Sequence, residues 1–203
     1  MSVDGRYYAL IKDNGKWGLV DWFEDVILVD PTFENPDNVP LIQIEGWAKD
    51  IFLASKKALK ADILIFDDGN GDGVFKARNK AIKKWGMYQS LSENDIKTLI
   101  PAKYDSISNF GFNANYTAVY NKGKVGIYLS YWSYHDKAKQ SVPCEYEDYK
   151  KYDVDGVPKL AVKKNEKWGW VNWLTGEEKY TFKYETTDDL PYPYYKQAIW
   201  FED

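Results

Sequence analysis

Asp68, Asn70 and Asp72 alternate along "DDGNGDG", and Gly73 follows. Oxygen ligands at every second position of a tight turn can converge on Ca2+, and this spacing matches the first half of an EF-hand loop. The second half is missing: the ninth loop position is Lys76, and the twelfth, where a bidentate acid closes the site, is Asn79. A glycine-rich turn with solvated acids accounts for the same residues. Calcium at Asp68, Asn70 and Asp72 is therefore the single cofactor candidate, and no other cofactor is expected.

Other chemistry lacks its residues. His135 is the sole histidine and Cys144 the sole cysteine. A His/Cys zinc site and an internal disulfide are excluded, and Cys–His catalysis would require those two residues to meet. The chain has no nucleophile elbow, phosphate loop or dinucleotide fingerprint. Carboxylate pairs of the glycosidase kind are unavoidable with 31 acids in 203 residues, so they single out nothing. The expectation is a protein that is not an enzyme.

Aromatic side chains, by contrast, are abundant: 17% of the chain, with 9 Trp and 17 Tyr. Rings of this kind anchor interfaces. "YLSYWSYHDK" (128–137) clusters Tyr131, Trp132 and Tyr134, and the tail "DDLPYPYYKQAIWFED" adds Asp188, Asp189, Tyr194 and Trp200. Trp22, Trp47 and Trp173 complete the candidate partner contacts. The net charge of −4 argues against nucleic acid and suits a basic protein partner. No run is long and apolar enough to span a membrane, and the N-terminus shows no apolar leader, so a cytoplasmic location and no membrane insertion are expected.

The elements that would position these rings repeat. Lys-Trp-Gly occurs at 16–18, 84–86 and 167–169, and Lys124-Val125-Gly126 is a variant. The Trp or Val positions 17, 85, 125 and 168 are separated by 68, 40 and 43 residues, which is a unit of about 40 plus one insertion. A second element follows each core: "LVDPTFE" (28–34), "LIPAKYD" (99–105), "SVPCEYE" (141–147) and "YTFKYET" (180–186). Each ends in an aromatic beside an acid. Three carry a proline, which confines that strand to an edge, a first position or a bulge.

Hairpin chemistry fixes the register. Asn14-Gly15 is a strong two-residue turn signal. It predicts Lys12 opposite Trp17 and Ile11 opposite Gly18. The turns Lys122-Gly123 and Asn165-Glu166 place Val119 opposite Gly126 and Val162 opposite Gly169. An aliphatic residue thus faces each glycine, and the Trp lies on the other face. A cross-strand aliphatic group, or a ring from the next copy, is expected to cover the bare glycine backbone. The second hairpin needs a loop about two residues longer. Trp17, Gly18, Trp85, Gly86, Gly126, Trp168 and Gly169 are read as the buried structural core of the repeats.

The "NGKWG" core followed by "PAKYD" resembles the WG (KWG) repeat proteins of bacteria, over 8–34 and 74–186. The resemblance implies β-rich repeats and binding, with no catalytic residues. Some such proteins are immunity or interaction proteins beside bacterial toxins. The expected function is a protein-binding module, most concretely an immunity-type inhibitor of a toxin. A glycan-binding or cell-surface module using exposed Trp and Tyr is the alternative.

The expected fold is mainly β. One domain over 1–203 carries antiparallel hairpin repeats at about 7–34, 74–106, 116–148 and 159–186, stacked into a curved, barrel-like or propeller-like body. An insertion occupies 35–73, and a C-terminal strand 194–203. Within the insertion, 62–66 reads as a strand, while 47–60 fits either a short helix or a strand.

Overall fold

The computed structural model describes residues 2–3, 6–21, 26–40, 49–66, 73–92, 95–108, 116–129, 139–154 and 157–192. The protein is mainly β, with three antiparallel sheets and one α-helix among these residues and no closed barrel. The chain divides into two compact units, 1–104 and 105–203.

The first unit is an eight-stranded meander: β1 (Ser2–Val3), β2 (Arg6–Asp13), β3 (Lys16–Asp21), β4 (Val26–Phe33), β5 (Ala61–Phe66), β6 (Val74–Asn79), β7 (Trp85–Ser92) and β8 (Asp95–Tyr104). The β4–β5 ladder is the single pair Val29–Ile63. Helix α1 (Lys49–Ala58) lies between them in sequence and buries Phe52 and Ser55. The helix is therefore the outcome for 49–58, and the strand reading holds only from 61.

The second unit has two four-stranded meanders. One is β9 (Ser106–Ile107), β10 (Tyr116–Asn121), β11 (Lys124–Leu129) and β12 (Lys139–Tyr146). The other is β13 (Asp148–Val154), β14 (Val157–Lys164), β15 (Lys167–Val171) and β16 (Glu178–Tyr184).

The hairpin registers expected from the turns are present. Ile11 pairs with Gly18, Val119 with Gly126 and Val162 with Gly169. The turn pairs Asn14-Gly15, Lys122-Gly123 and Asn165-Glu166 all have positive φ at both positions, as a two-residue hairpin following the right-handed strand twist requires. In the second hairpin Ala77 pairs with Gly86, and Asn79 and Lys84 close a longer loop through a backbone hydrogen bond of 2.9 Å.

What covers the glycines differs from the expectation. From Trp17 to Leu19 β3 advances two positions, while its partners on β4 run from Phe33 back to Val29. The same bulge sets Trp85 against Tyr104 and Met87 against Ile100. It recurs at Val125–Tyr146 and Ile127–Val142, and a bulge one residue longer separates Trp168–Tyr184 from Trp170–Lys179. Each bulge carries the third strand across the glycine. A Cβ on Gly18 would lie 2.4 Å from the Val29 carbonyl oxygen, and one on Gly126 2.7 Å from that of Val142. Backbone of the third strand, and not a cross-strand aliphatic group, is what needs glycine there. Gly169 lies under the Phe182 ring at 3.0 Å, and Gly86 meets both the Tyr88 ring, 2.6 Å from its hydroxyl, and the Ile100 carbonyl oxygen at 2.9 Å. Pro31, Pro101 and Pro143 sit within the bulges, where a missing N–H breaks no ladder bond.

Each unit has an apolar core. In the second, Ala118, Val125, Ile127 and Leu129 of the first meander join Leu160, Val162, Val171 and Trp173 of the other. In the first, Tyr8, Leu19 and Val29 join Ile63, Leu64, Phe75, Ala77 and Tyr88. Trp17 and Trp85 pack on the edge of that core and are half-buried, with the Lys12 and Lys76 ammonium groups over their rings at 5.2 and 5.8 Å. Trp168 is half-buried as well. The glycines are thus buried as expected, while the three tryptophans are partly solvated, with lysine stems shielding the Trp17 and Trp85 rings in part.

Candidate functional site

The acids that follow each aromatic hold the hairpin ends together. Lys16 pairs with Glu34, Lys124 with Glu147 and Lys167 with Glu185. Asp105 and Glu147 also reach the turn of the following hairpin. Asp105 accepts from the Lys122 N–H at 2.5 Å. Glu147 accepts from the N–H groups of Asn165 (3.1 Å) and Glu166 (2.9 Å), one on each carboxylate oxygen. Those two donors point outward because both turn residues have positive φ. The Glu166 N–H is the main reason that Glu147 titrates below its ordinary 4.5, with Lys124 and the Asn165 N–H adding to it.

The sign of the consequence follows. A carboxyl whose folded pKa is depressed stabilises the fold above its unfolded value and loses that contribution as pH falls through the folded one. Glu147→Gln should therefore lower the melting temperature at pH 7. The gap to the parent should shrink as pH is taken from 5 toward 3. A gap that is constant with pH would mean that the charge of Glu147 is not what the turn uses.

A second charged cluster lies between β12, β14 and β16. The Tyr146 hydroxyl donates to Glu178 at 3.0 Å, and Lys164 donates to Glu178 (2.7 Å) and pairs with Glu145 (3.5 Å). Burial first, and then the two carboxylates, push the Tyr146 phenol up. Its hydrogen bond with Lys164 holds Glu178 down and Lys164 up. In the first unit Asp62 is fully buried and takes two bonds from Arg78 (3.0 and 2.8 Å) and one from Lys83 (2.6 Å). Burial alone would raise the Asp62 pKa, but Arg78 and Lys83 outweigh it and hold the group below 3.8. Arg78 also lies over the Phe33 ring at 5.4 Å. A lysine cannot reproduce a two-bond fork stacked on a ring, so Arg78→Lys should cost about 1–2 kcal/mol. An unchanged urea midpoint would show that Lys83 alone suffices to hold Asp62.

The arrangement best suited to meeting a partner follows β16. Residues 187–189 form one 3-10 turn. Asp189 accepts from the Thr186 N–H (3.3 Å) and hydroxyl (2.8 Å), Lys150 donates to the Thr187 hydroxyl (3.0 Å), and the Trp170 indole N–H donates to the Pro191 carbonyl (2.8 Å). Tyr152 packs edge-on against Trp170 beneath it. Asp188 and Asp189 are exposed, and Tyr192 is 47% exposed. The result is an acidic, aromatic lip whose backbone is tied at two points, with the Thr187 side chain held at a third. "ENPDNV" (34–39) makes the same kind of turn after β4, with Asn35 accepting from the Asp37 N–H at 3.0 Å. Its likeness to "ETTDDL" (185–190) is a signal that the sequence carries.

Of the expected contact residues, Asp188 and Asp189 are therefore at the surface, and Asp189 is also a cap. Trp173 is corrected: it is 1% exposed and belongs to the core. Trp22, Trp47, Tyr131, Trp132, Tyr134, Tyr194 and Trp200 lie outside the described residues, as do Asp68, Asn70, Asp72 and His135. Among the described residues no group of three His, Cys, Asp or Glu side chains is placed to hold a metal. No helix among them is long and apolar enough to cross a membrane.

Compared with protein-family models, curated proteins and solved structures, the chain matches none.

Proposed function

We propose that the chain is a non-catalytic protein-binding module of the WG-repeat kind, in which four copies of one β meander stack in a curved, propeller-like way. Its role is that of an immunity-type inhibitor, which neutralises a bacterial toxin by covering its working surface. The observation that supports this most is the lip at 185–192. Two exposed aspartates and an exposed tyrosine stand on a segment whose backbone is held by Trp170 and the Thr186–Asp189 cap, with Lys150 on the Thr187 hydroxyl. Preorganised rings with acids beside them suit a basic partner: the acids speed the encounter and the ring anchors it. The use of charge elsewhere agrees, because Asp62, Glu147, Lys164 and Glu178 all hold strands or turns together.

The test uses Asp188→Lys combined with Tyr192→Ala, two exposed positions. Bait chains of both kinds are incubated with a lysate of the native cell. A cationic protein retained by the parent and lost from the double variant is the expected result. Equal capture by both would place the contact surface elsewhere. Retention of an oligosaccharide in place of a protein would favour the glycan reading; the buried Trp173 serves neither reading as a contact.

A further inference from the structure

Two lysine-rich segments far apart in sequence are joined in the first unit. "KKALK" (56–60) ends helix α1, and "KAIKK" (80–84) is the loop between β6 and β7. Lys60 stops the helix with a positive φ, which turns its carbonyl toward the loop, and the Lys80 N–H donates to it at 2.9 Å. Asn79 secures the junction. Its amide donates to the Leu59 carbonyl (3.3 Å), while its side-chain oxygen accepts from the N–H groups of Ala81 (3.0 Å) and Ile82 (3.2 Å).

The charges of this knob are unequally matched. Lys56 and Lys80 share Asp30, and Lys83 pairs with Asp62. Lys57 and Lys60 are exposed and make no ion pair among the described residues. Two aliphatic side chains stand among these cations. Ile82 at the loop apex is 57% exposed, and Leu53, one helical turn before Lys57, is 42% exposed. A chain of net charge −4 thus presents a local basic surface with apolar tips.

We propose that this knob docks on an anionic phospholipid surface, with Lys57 and Lys60 at the headgroups and Ile82 reaching below them. The chemistry favours lipid over protein. Protein interfaces are enriched in Tyr, Trp and Arg and depleted in Lys. This chain is rich in Tyr and Trp, yet its knob has neither. Lysine is a compact charge without the fork that recognises single carboxylates, and it suits a diffuse anionic plane. A phosphate backbone of nucleic acid would give Leu53 and Ile82 nothing to enter.

The full chain is sedimented with large vesicles of phosphatidylcholine, with and without about one-third phosphatidylserine. Binding to the mixed vesicles only, weakened by salt, is expected. Lys57→Gln with Lys60→Gln should reduce partition about 20- to 30-fold, taking about fivefold per lysine. Ile82→Asn should reduce it about fivefold. Melting should be unchanged in each variant, since the altered side chains are exposed. No binding of the parent to the mixed vesicles overturns the proposal, as does binding that all variants retain. Equally tight binding to poly-L-glutamate, indifferent to Ile82→Asn, would instead assign the knob to an acidic protein.

Discussion

Gly18→Ala is expected to destabilise the first unit by about 3 kcal/mol or more, at the upper end of what overpacking costs. The new methyl would sit 2.4 Å from the Val29 carbonyl oxygen and 2.8 Å from the Pro31 nitrogen. Both are backbone atoms, and Pro31 limits how far the bulge can shift. The other copies grade the effect. At Gly126 the nearest atoms are again backbone, at 2.7 and 2.9 Å, so a similar but smaller loss is expected. At Gly169 the neighbour is the Phe182 ring at 3.0 Å, which can swing aside, so the loss should be smaller still. Gly15, with positive φ and nothing within 4 Å, controls for backbone preference alone. Alanine there should cost about 1 kcal/mol. Urea denaturation of the four variants reads the order Gly18, Gly126, Gly169. A Gly18→Ala chain no less stable than Gly15→Ala would remove the crossing strand as the reason for Trp-Gly.

Trp173→Ala should cost about 3–5 kcal/mol, the range for a fully buried large ring. The indole is among the largest buried side chains and packs in the core with Leu160, Val162 and Val171. Its place is set by a turn. Asn172 accepts from the N–H groups of Leu174 (3.0 Å) and Thr175 (3.4 Å), and its carbonyl accepts from Gly176 at 2.7 Å. Gly176 has a φ of 76°, and a Cβ there would lie 2.2 Å from the Ser141 carbonyl oxygen, so the turn presses against β12. Trp168, half-buried, should cost about 1–2 kcal/mol on the same substitution. The residue inside the repeated motif is therefore the milder site. Calorimetry of both variants decides it, and a larger loss at Trp168 would reverse the assignment.

The hairpins were legible because their signals are local. A two-residue turn with two positive φ values leaves few choices, and Asn14-Gly15 and its counterparts fixed the register of the flanking strands. The bulges were legible only as prolines, since the strand they cross is a separate segment. The acids after each aromatic were seen as a pattern without a purpose. Glu147 acts on a turn at 165–166, a relation that no local spacing carries. β13 was missed: "DYKKYDV" looks polar, and it becomes a strand by pairing with the buried Leu160, Ala161 and Val162 of β14. For 49–58 the apolar spacing fitted helix and strand alike, and tertiary packing of Phe52 and Ser55 decided it. The lip at 185–192 was visible as composition. Its rigidity was not, because Trp170 and Lys150 come from other strands.

The claim on which the account rests is that the third strand of every copy bulges over the Trp-Gly step, or Val-Gly in the third copy. Cross-strand nuclear Overhauser contacts in solution read it directly. The account predicts backbone contacts of Trp17 with Phe33, Trp85 with Tyr104, Val125 with Tyr146 and Trp168 with Tyr184, alongside Leu19 with Val29 and Ile127 with Val142. A regular ladder, with residue 31 opposite residue 19 while Trp17 still faces Phe33, would contradict it.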